Sequence, residues 1–303
     1  MFLFAEAAAA EEHHSPLIVE FINHYLGEPL HHFEVTYTKP IWDKFLGLFG
    51  SNAEAVFGKY TPENAIPWYT IMFLIACILT LVAIWIFKGK LSEDDPHEGQ
   101  LTLEAGYLAL RDLVVNVIGE HGFKYFPVVA TFAVLILISN LMGLFPLFMA
   151  PTASTSVTFA LGIASFVYYN YIGIKENGLK NHLAHFAGPK LPWYMFLITV
   201  LIFGIELVSN SIRPLTLGVR LFANMFADEK ISETIANMYP PFTQFLVPVV
   251  LLPLALFVAF VQAFVFTLLS VIYISEVSHA PHDDKHGGVH SSETGEALAT
   301  AHV

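Results

Sequence analysis

Arg220 stands in the apolar run Leu217-Gly218-Val219-Arg220-Leu221-Phe222-Ala223-Asn224-Met225, in a stretch that otherwise reads as membrane helix. A guanidinium at that depth costs roughly 3 kcal/mol on insertion scales and more than 10 in simulations, so it implies a partner carboxylate or a water-filled cavity. Carboxylates bracket it in sequence, Glu206 on one side and Glu229 on the other. At 100° per residue on a continuous helix, Glu206 lies about 40° from Arg220 around the axis, and Asn224 about 40° on the other side. Glu229 falls about 180° away and about 13 Å further along. Carboxylate and guanidinium thus meet different surroundings, an arrangement suited to admitting a proton on one side of a barrier and releasing it on the other.

The elements that position these groups belong to a membrane protein. Hydrophobic residues make up 55% of the 303-residue chain and the mean hydropathy is +0.59, above the roughly 45 to 50% apolar content of soluble domains. Many of the acids behind the net charge of −12 lie in the N-terminal 67 residues and in polar segments between apolar runs, so the balance describes solvated ends. The 14 Lys and Arg form no basic stripe, which excludes a nucleic-acid surface. Cys77 is alone and forms no intrachain disulfide. There is no G-x-x-x-x-G-K-[ST] loop for a nucleotide.

The expected fold is all-α and polytopic, with about five membrane helices and one surface amphipathic helix. Trp68 to Phe87 is the first span, bounded by Trp68 and Tyr69 at one end and by Trp85 and Lys88 at the other. Leu101, Leu103, Tyr107, Leu108, Leu110 and Leu113, set among Glu104, Arg111 and Asp112, predict a helix at the membrane surface. The second and third spans are Tyr125 to Phe148 and Thr152 to Ile174, separated by a turn at Pro146 to Pro151, and the third carries the small residues Gly162, Ala164 and Ser165 suited to close packing. Tyr194 to Met238 and Phe242 to Glu276 would measure about 68 and 52 Å as helix against a hydrocarbon core of about 30 Å. They predict a long, strongly tilted hairpin at 192–276, turning at Pro240-Pro241, with Pro214, Pro248 and Pro253 as kink candidates.

Three regions follow: 1–67 an extracytoplasmic N-terminal tail, 68–278 the membrane domain, and 279–303 a disordered His-rich cytoplasmic tail. Within the first, Ile41, Trp42, Phe45, Leu46, Leu48 and Phe49 read either as a short interfacial helix or as linker. Lys88, Lys90, Arg111 and Lys124, with Lys175, Lys180 and Lys190, place two loops in the cytoplasm under the positive-inside rule. The histidines of the last tail recur every three or four residues, but Pro281 and Gly287-Gly288 deny them a rigid helix, so neither metal nor cofactor is expected.

The stretch from Glu206 to Glu229 resembles the signature of subunit a of the F-type ATP synthase membrane sector. Asn140-Leu-Met-Gly-Leu-Phe-Pro146, followed by the Thr152 to Gly162 stretch, and Gln262-Ala-Phe-Val-Phe are similar to further family motifs and stand in family order, over roughly residues 65 to 278. The resemblance implies a stationary, non-catalytic subunit of a bacterial inner membrane. It would pack against a rotating ring of c subunits, be held with the b subunit peripheral stalk and the remainder of the synthase, and offer protons two offset half-channels. Carried over, Arg220 matches the essential arginine, Asn224 and Gln262 its polar neighbours, and Glu206, Ser209 and Glu229 the half-channel residues. Where some members carry a histidine seven residues before the glutamine, this chain has Ala255.

Read from the residues alone, other roles stay open. Arg220 suits snorkelling or a structural pair, Glu229 a solvated hairpin end in Asp228-Glu229-Lys230, and Gln262 a helix-to-helix hydrogen bond. Arg213, before Pro214, reads as a boundary or packing charge. A proton-coupled secondary transporter would show internal repeats, and none is found. A structural membrane scaffold would leave Arg220 without a task.

Overall fold

In the computed structural model the described residues are 17–47, 65–89, 92, 93, 95–145, 148–186, 196–236, 238 and 242–278. They form eight α-helices: α1 Leu17–Phe33, α2 Lys39–Gly47, α3 Trp68–Lys88, α4 Glu98–Ile118, α5 Phe126–Met142, α6 Thr155–Phe186, α7 Phe196–Ala236 and α8 Phe242–Ser278. Among the described residues there is no strand. Five helices are long and apolar enough to cross a membrane: α3, α5 with the 3-10 turn before it, α6, α7 and α8. This is the all-α polytopic architecture that the hydropathy predicts.

Local chemistry sets the boundaries. Pro67 precedes α3 and Gly89, at φ 49°, ends it. The His97 ring accepts the Gly99 amide at 3.1 Å and opens α4, which stops at Gly119 with φ 95°. The second span is shorter than its apolar run: α5 ends at Met142, and Pro151–Ala153 forms a separate 3-10 turn, so Thr152 lies before the third span instead of opening it. The third helix in turn runs beyond Ile174, redirected at Gly178 by φ 75° and ψ 153°. The Pro146 and Pro240-Pro241 turn residues and the His-rich C-terminal segment lie outside the described residues.

Two buried clusters bind the bundle. Val114 and Ile118 of α4 pack with Phe126 and Val129 of α5, Tyr169 and Ile172 of α6, and Val271 and Ile274 of α8. Further along, Ile136, Val157, Leu161, Leu217, Leu221, Ala263 and Phe266 join α5 to α8. Apolar area is also abundant outside: Leu74, Ile78, Leu81 and Trp85 of α3 are all exposed, as suits a helix whose solvent is lipid. With 41 and 37 residues, α7 and α8 reach about 60 and 55 Å, roughly twice the hydrocarbon core, so they cannot both stand upright in a bilayer.

Helices α6 and α7 approach closely, with glycines on each helix meeting the other's backbone. A Cβ on Gly162 would come within 2.6 Å of the Pro214 carbonyl oxygen, and one on Gly218 within 3.1 Å of the Thr158 carbonyl. Lipid provides no hydrophobic drive between helices, so contact of this kind is what holds them. Pro214 does not end α7. Its missing N–H frees the carbonyl of Asn210, and the Tyr169 hydroxyl reaches that oxygen at 3.4 Å.

The N-terminal segment departs from expectation. Instead of a tail with structure only near its end, α1 and α2 run nearly end to end through the π-helical turn Glu34–Thr38. Val19 packs with Ile71, Met72 and Ala76 of α3, and the Asn23 side chain exchanges two 3.2 Å hydrogen bonds with the Ile66 backbone.

Gly162→Ala should lower the unfolding temperature of the detergent-solubilised chain, at a cost of about 1 to 3 kcal/mol from overpacking against backbone. Gly204→Ala, whose Cβ would meet nothing within 4 Å, should leave it unchanged or raise it slightly through the better helix propensity of alanine.

Candidate functional site

Helix α7 is continuous from Phe196 to Ala236, so the angular relations expected of its polar residues hold. Arg220 is exposed, and among the described residues it has no hydrogen-bond or ion-pair partner. Among the described residues no carboxylate pairs with it, and the guanidinium faces outward from the bundle. One turn further, Asn224 donates from Nδ2 to Oε1 of Gln262 on α8 at 2.6 Å. The structure thus brings two of the expected residues together across the hairpin. Gln262 is 3% exposed, so the bond is shielded on the α8 side.

Beside that bond a cleft of about 310 Å³ opens between α7 and α8, lined by Asn224, Asp228, Ile231, Leu254, Phe257 and Gln262. The carboxylate on this cleft belongs to Asp228, which sequence reasoning passed over in favour of Glu229. The signal was present: Arg220, Asn224 and Asp228 recur at four-residue steps and form one stripe. Glu229, half-buried, does not line the cleft. Glu206 is half-buried and Ser209 exposed on the preceding turns of α7, about 21 and 16 Å from Arg220 along the axis, so the structure does not gather them with the Asn224–Gln262 pair.

Arg213 is a packing charge. Its Nη1 and Nη2 donate to the two oxygens of Glu276 at 2.6 and 2.9 Å, and its guanidinium covers the Tyr273 ring at 5.2 Å. Beneath it Tyr169, 2% exposed, donates to Oδ1 of Asn210 at 2.5 Å. Two more polar joints cross the bundle: Ser165 and Ser270 at 3.0 Å, and Thr152 donating to Oδ1 of Asn140 at 2.7 Å while Asn140 donates to the Ala259 carbonyl at 3.3 Å. Side chains buried this way seldom escape notice in a structure, yet their partners lie up to 119 residues apart in the chain. No short motif reveals them.

This geometry, five spans and an outward arginine beside a cross-hairpin amide pair, coincides with a family-model match. Residues 69–275 match the model described as ATP synthase A chain. The chain belongs to the ATP synthase A chain family. Relatives include the ATP synthase subunit a of Solibacter usitatus (strain Ellin6076), 40% identical over 71% of this chain and 88% of its own length. That of Geotalea daltonii (strain DSM 22248 / JCM 15807 / FRC-32) is 39% identical over 67% of this chain and 83% of its own. That of Aquifex aeolicus (strain VF5) is 36% identical over 67% and 94%. As an A chain family member it is a membrane subunit of the ATP synthase that works with the rest of that complex. It belongs to the proton-channel side, and nucleotide chemistry lies in other subunits.

A double-mutant cycle on Asn224→Ala and Gln262→Ala should give a coupling energy of about 0.6 to 1.7 kcal/mol in detergent unfolding. Residues unconnected across the hairpin would give none.

Proposed function

We propose that Arg220 is the electrostatic gate of a proton path, and that this chain is the stationary partner against which a ring of c subunits turns. The observation that carries the reading is a guanidinium exposed on the bundle surface with no partner among the described residues, next to a cleft bearing a carboxylate. Its counter-charge then comes from outside, and an acidic group on a passing rotor subunit fits.

The energetics agree. A rotor carboxylate about 4 Å from Arg220 gains about 4 kcal/mol at an effective dielectric near 20, comparable to about 3 pKa units before desolvation is deducted. Next to the arginine the rotor site sheds its proton; facing lipid it takes one up. Two offset access paths turn that alternation into directed rotation. On this reading Asn224, Gln262, Asp228 and Glu229 serve one half-channel and Glu206 with Ser209 the other, their separation along α7 supplying the offset. A membrane potential adds about 2.3 kcal/mol per charge per 100 mV, enough to bias each step.

The same reading sets the chain in a bacterial inner membrane with the b subunit of the peripheral stalk bracing it. On that reading the lysine-bearing segments before α5 and from Lys175 to Lys190 lie in the cytoplasm, which puts residues 1–67 outside and 279–303 inside.

In membrane vesicles carrying the whole synthase, Arg220→Ala should reduce ATP-driven proton pumping about a hundredfold or more, the loss of roughly 3 kcal/mol or more of charge stabilisation. Undiminished pumping would refute the gate. Asp228→Asn, which keeps the shape and removes the exchangeable proton, should slow the initial pumping rate about tenfold or more. An unchanged rate would assign proton exchange to Glu229 alone.

A further inference from the structure

Helix α7 carries two arginines on one side. At 100° per residue Arg213 lies about 20° from Arg220 round the axis and about 10.5 Å before it. Lys230, the third cation of the helix, falls about 80° from Arg220. The two arginines end differently. Arg220 is exposed and has no partner among the described residues, whereas Nη1 and Nη2 of Arg213 donate to the two carboxylate oxygens of Glu276 on α8 at 2.6 and 2.9 Å. A two-bond pair of this kind is the strongest match a guanidinium finds, and its net charge is zero.

The carboxylate is held ready for this pairing by its neighbours in the chain. Ser275 donates from Oγ to the Val117 carbonyl of α4 at 3.0 Å, and Asn177 of α6 donates from Nδ2 to the Val277 carbonyl at 2.9 Å. Three consecutive residues of α8 thus reach three different helices, with Glu276 in the middle facing α7. The Tyr273 ring, one turn earlier, supports the guanidinium at 5.2 Å. With its backbone fixed on both sides, Glu276 loses little freedom on meeting Arg213, which separates this pair from a casual surface contact. The pair is nevertheless open to the outside: the Arg213 side chain is 19% exposed and that of Glu276 37%.

We propose that Glu276 masks Arg213, so that this side of α7 offers a passing carboxylate one free guanidinium, Arg220, instead of two. The proposal rests on the reading of Arg220 as the gate. Left bare, Arg213 would attract the same ionised acid a second time, about 10.5 Å from the first stop. It would also draw on Glu206, seven residues before it and about 20° away round the helix, which the proposed path needs free. Glu276 handles no proton itself; it acts through Arg213 as a positioning residue.

The test uses the whole synthase in membrane vesicles, with ATP-driven proton pumping expressed per assembled complex. Glu276→Gln should slow pumping about tenfold, because the unmasked Arg213 detains each passing acid. Adding Arg213→Gln should return the rate to within about twofold of the native one, since the double variant lacks the ion pair but again presents a single cation. A mere brace between α7 and α8 could not give that recovery. A native rate in Glu276→Gln, or a double variant as slow as the single one, would overturn the proposal. Loss of assembly in Glu276→Gln and Glu276→Ala alike would make the carboxylate a folding residue and overturn it too. Arg220→Ala in the same vesicles keeps the two readings apart: undiminished pumping there removes the gate itself, whereas lost pumping there beside a native rate in Glu276→Gln removes only the mask.

Discussion

A single uncompensated guanidinium organises this molecule. In a medium that solvates nothing, a chain is expected to satisfy its charges internally, and the other arginine of the hairpin does so: Arg213 takes both oxygens of Glu276. Arg220 alone among the arginines of the hairpin is left outward and unmet among the described residues. On the function proposed above that charge is met by another molecule, and the surrounding packing holds it in place.

The holding is done by close packing more than by polar bonds. Gly162 and Gly218 let α6 and α7 touch through their backbones just before Arg220, while Leu217 and Leu221 on either side of it are buried in the central cluster. The arginine therefore projects from a turn whose other residues are immobilised. The Asn224–Gln262 bond adds a polar tie one turn later, joining the two arms of the hairpin where the cleft begins.

The spans were legible because hydropathy integrates over twenty residues and tolerates local error; the two long helices are described over Phe196–Ala236 and Phe242–Ser278, where long apolar runs were expected. Arg220 and its stripe were legible because one helix period relates them. Helix α1 was not. The tail reading of residues 1–67 singled out no helix there, and its docking is onto Ile66 and α3, some 43 residues away in sequence. The joints Tyr169–Asn210 and Asn140–Ala259 were hidden for the same reason: pairing across helices depends on how the helices cross, which periodicity within one helix does not encode. Asp228 was a different omission, since the four-residue rhythm through Arg220 and Asn224 pointed at it directly.

The position of the glycine crossing has a mechanical consequence. Gly218 lies only about 3 Å along the helix axis from Arg220, so a sideways push delivered to the guanidinium acts on a very short lever arm. Bending moment scales with that arm, and contact between backbones has no flexible side chain to absorb the strain. A tangential load is thus passed into α6 with little recoil, where the same arginine mounted half-way along an unsupported helix would yield like a spring.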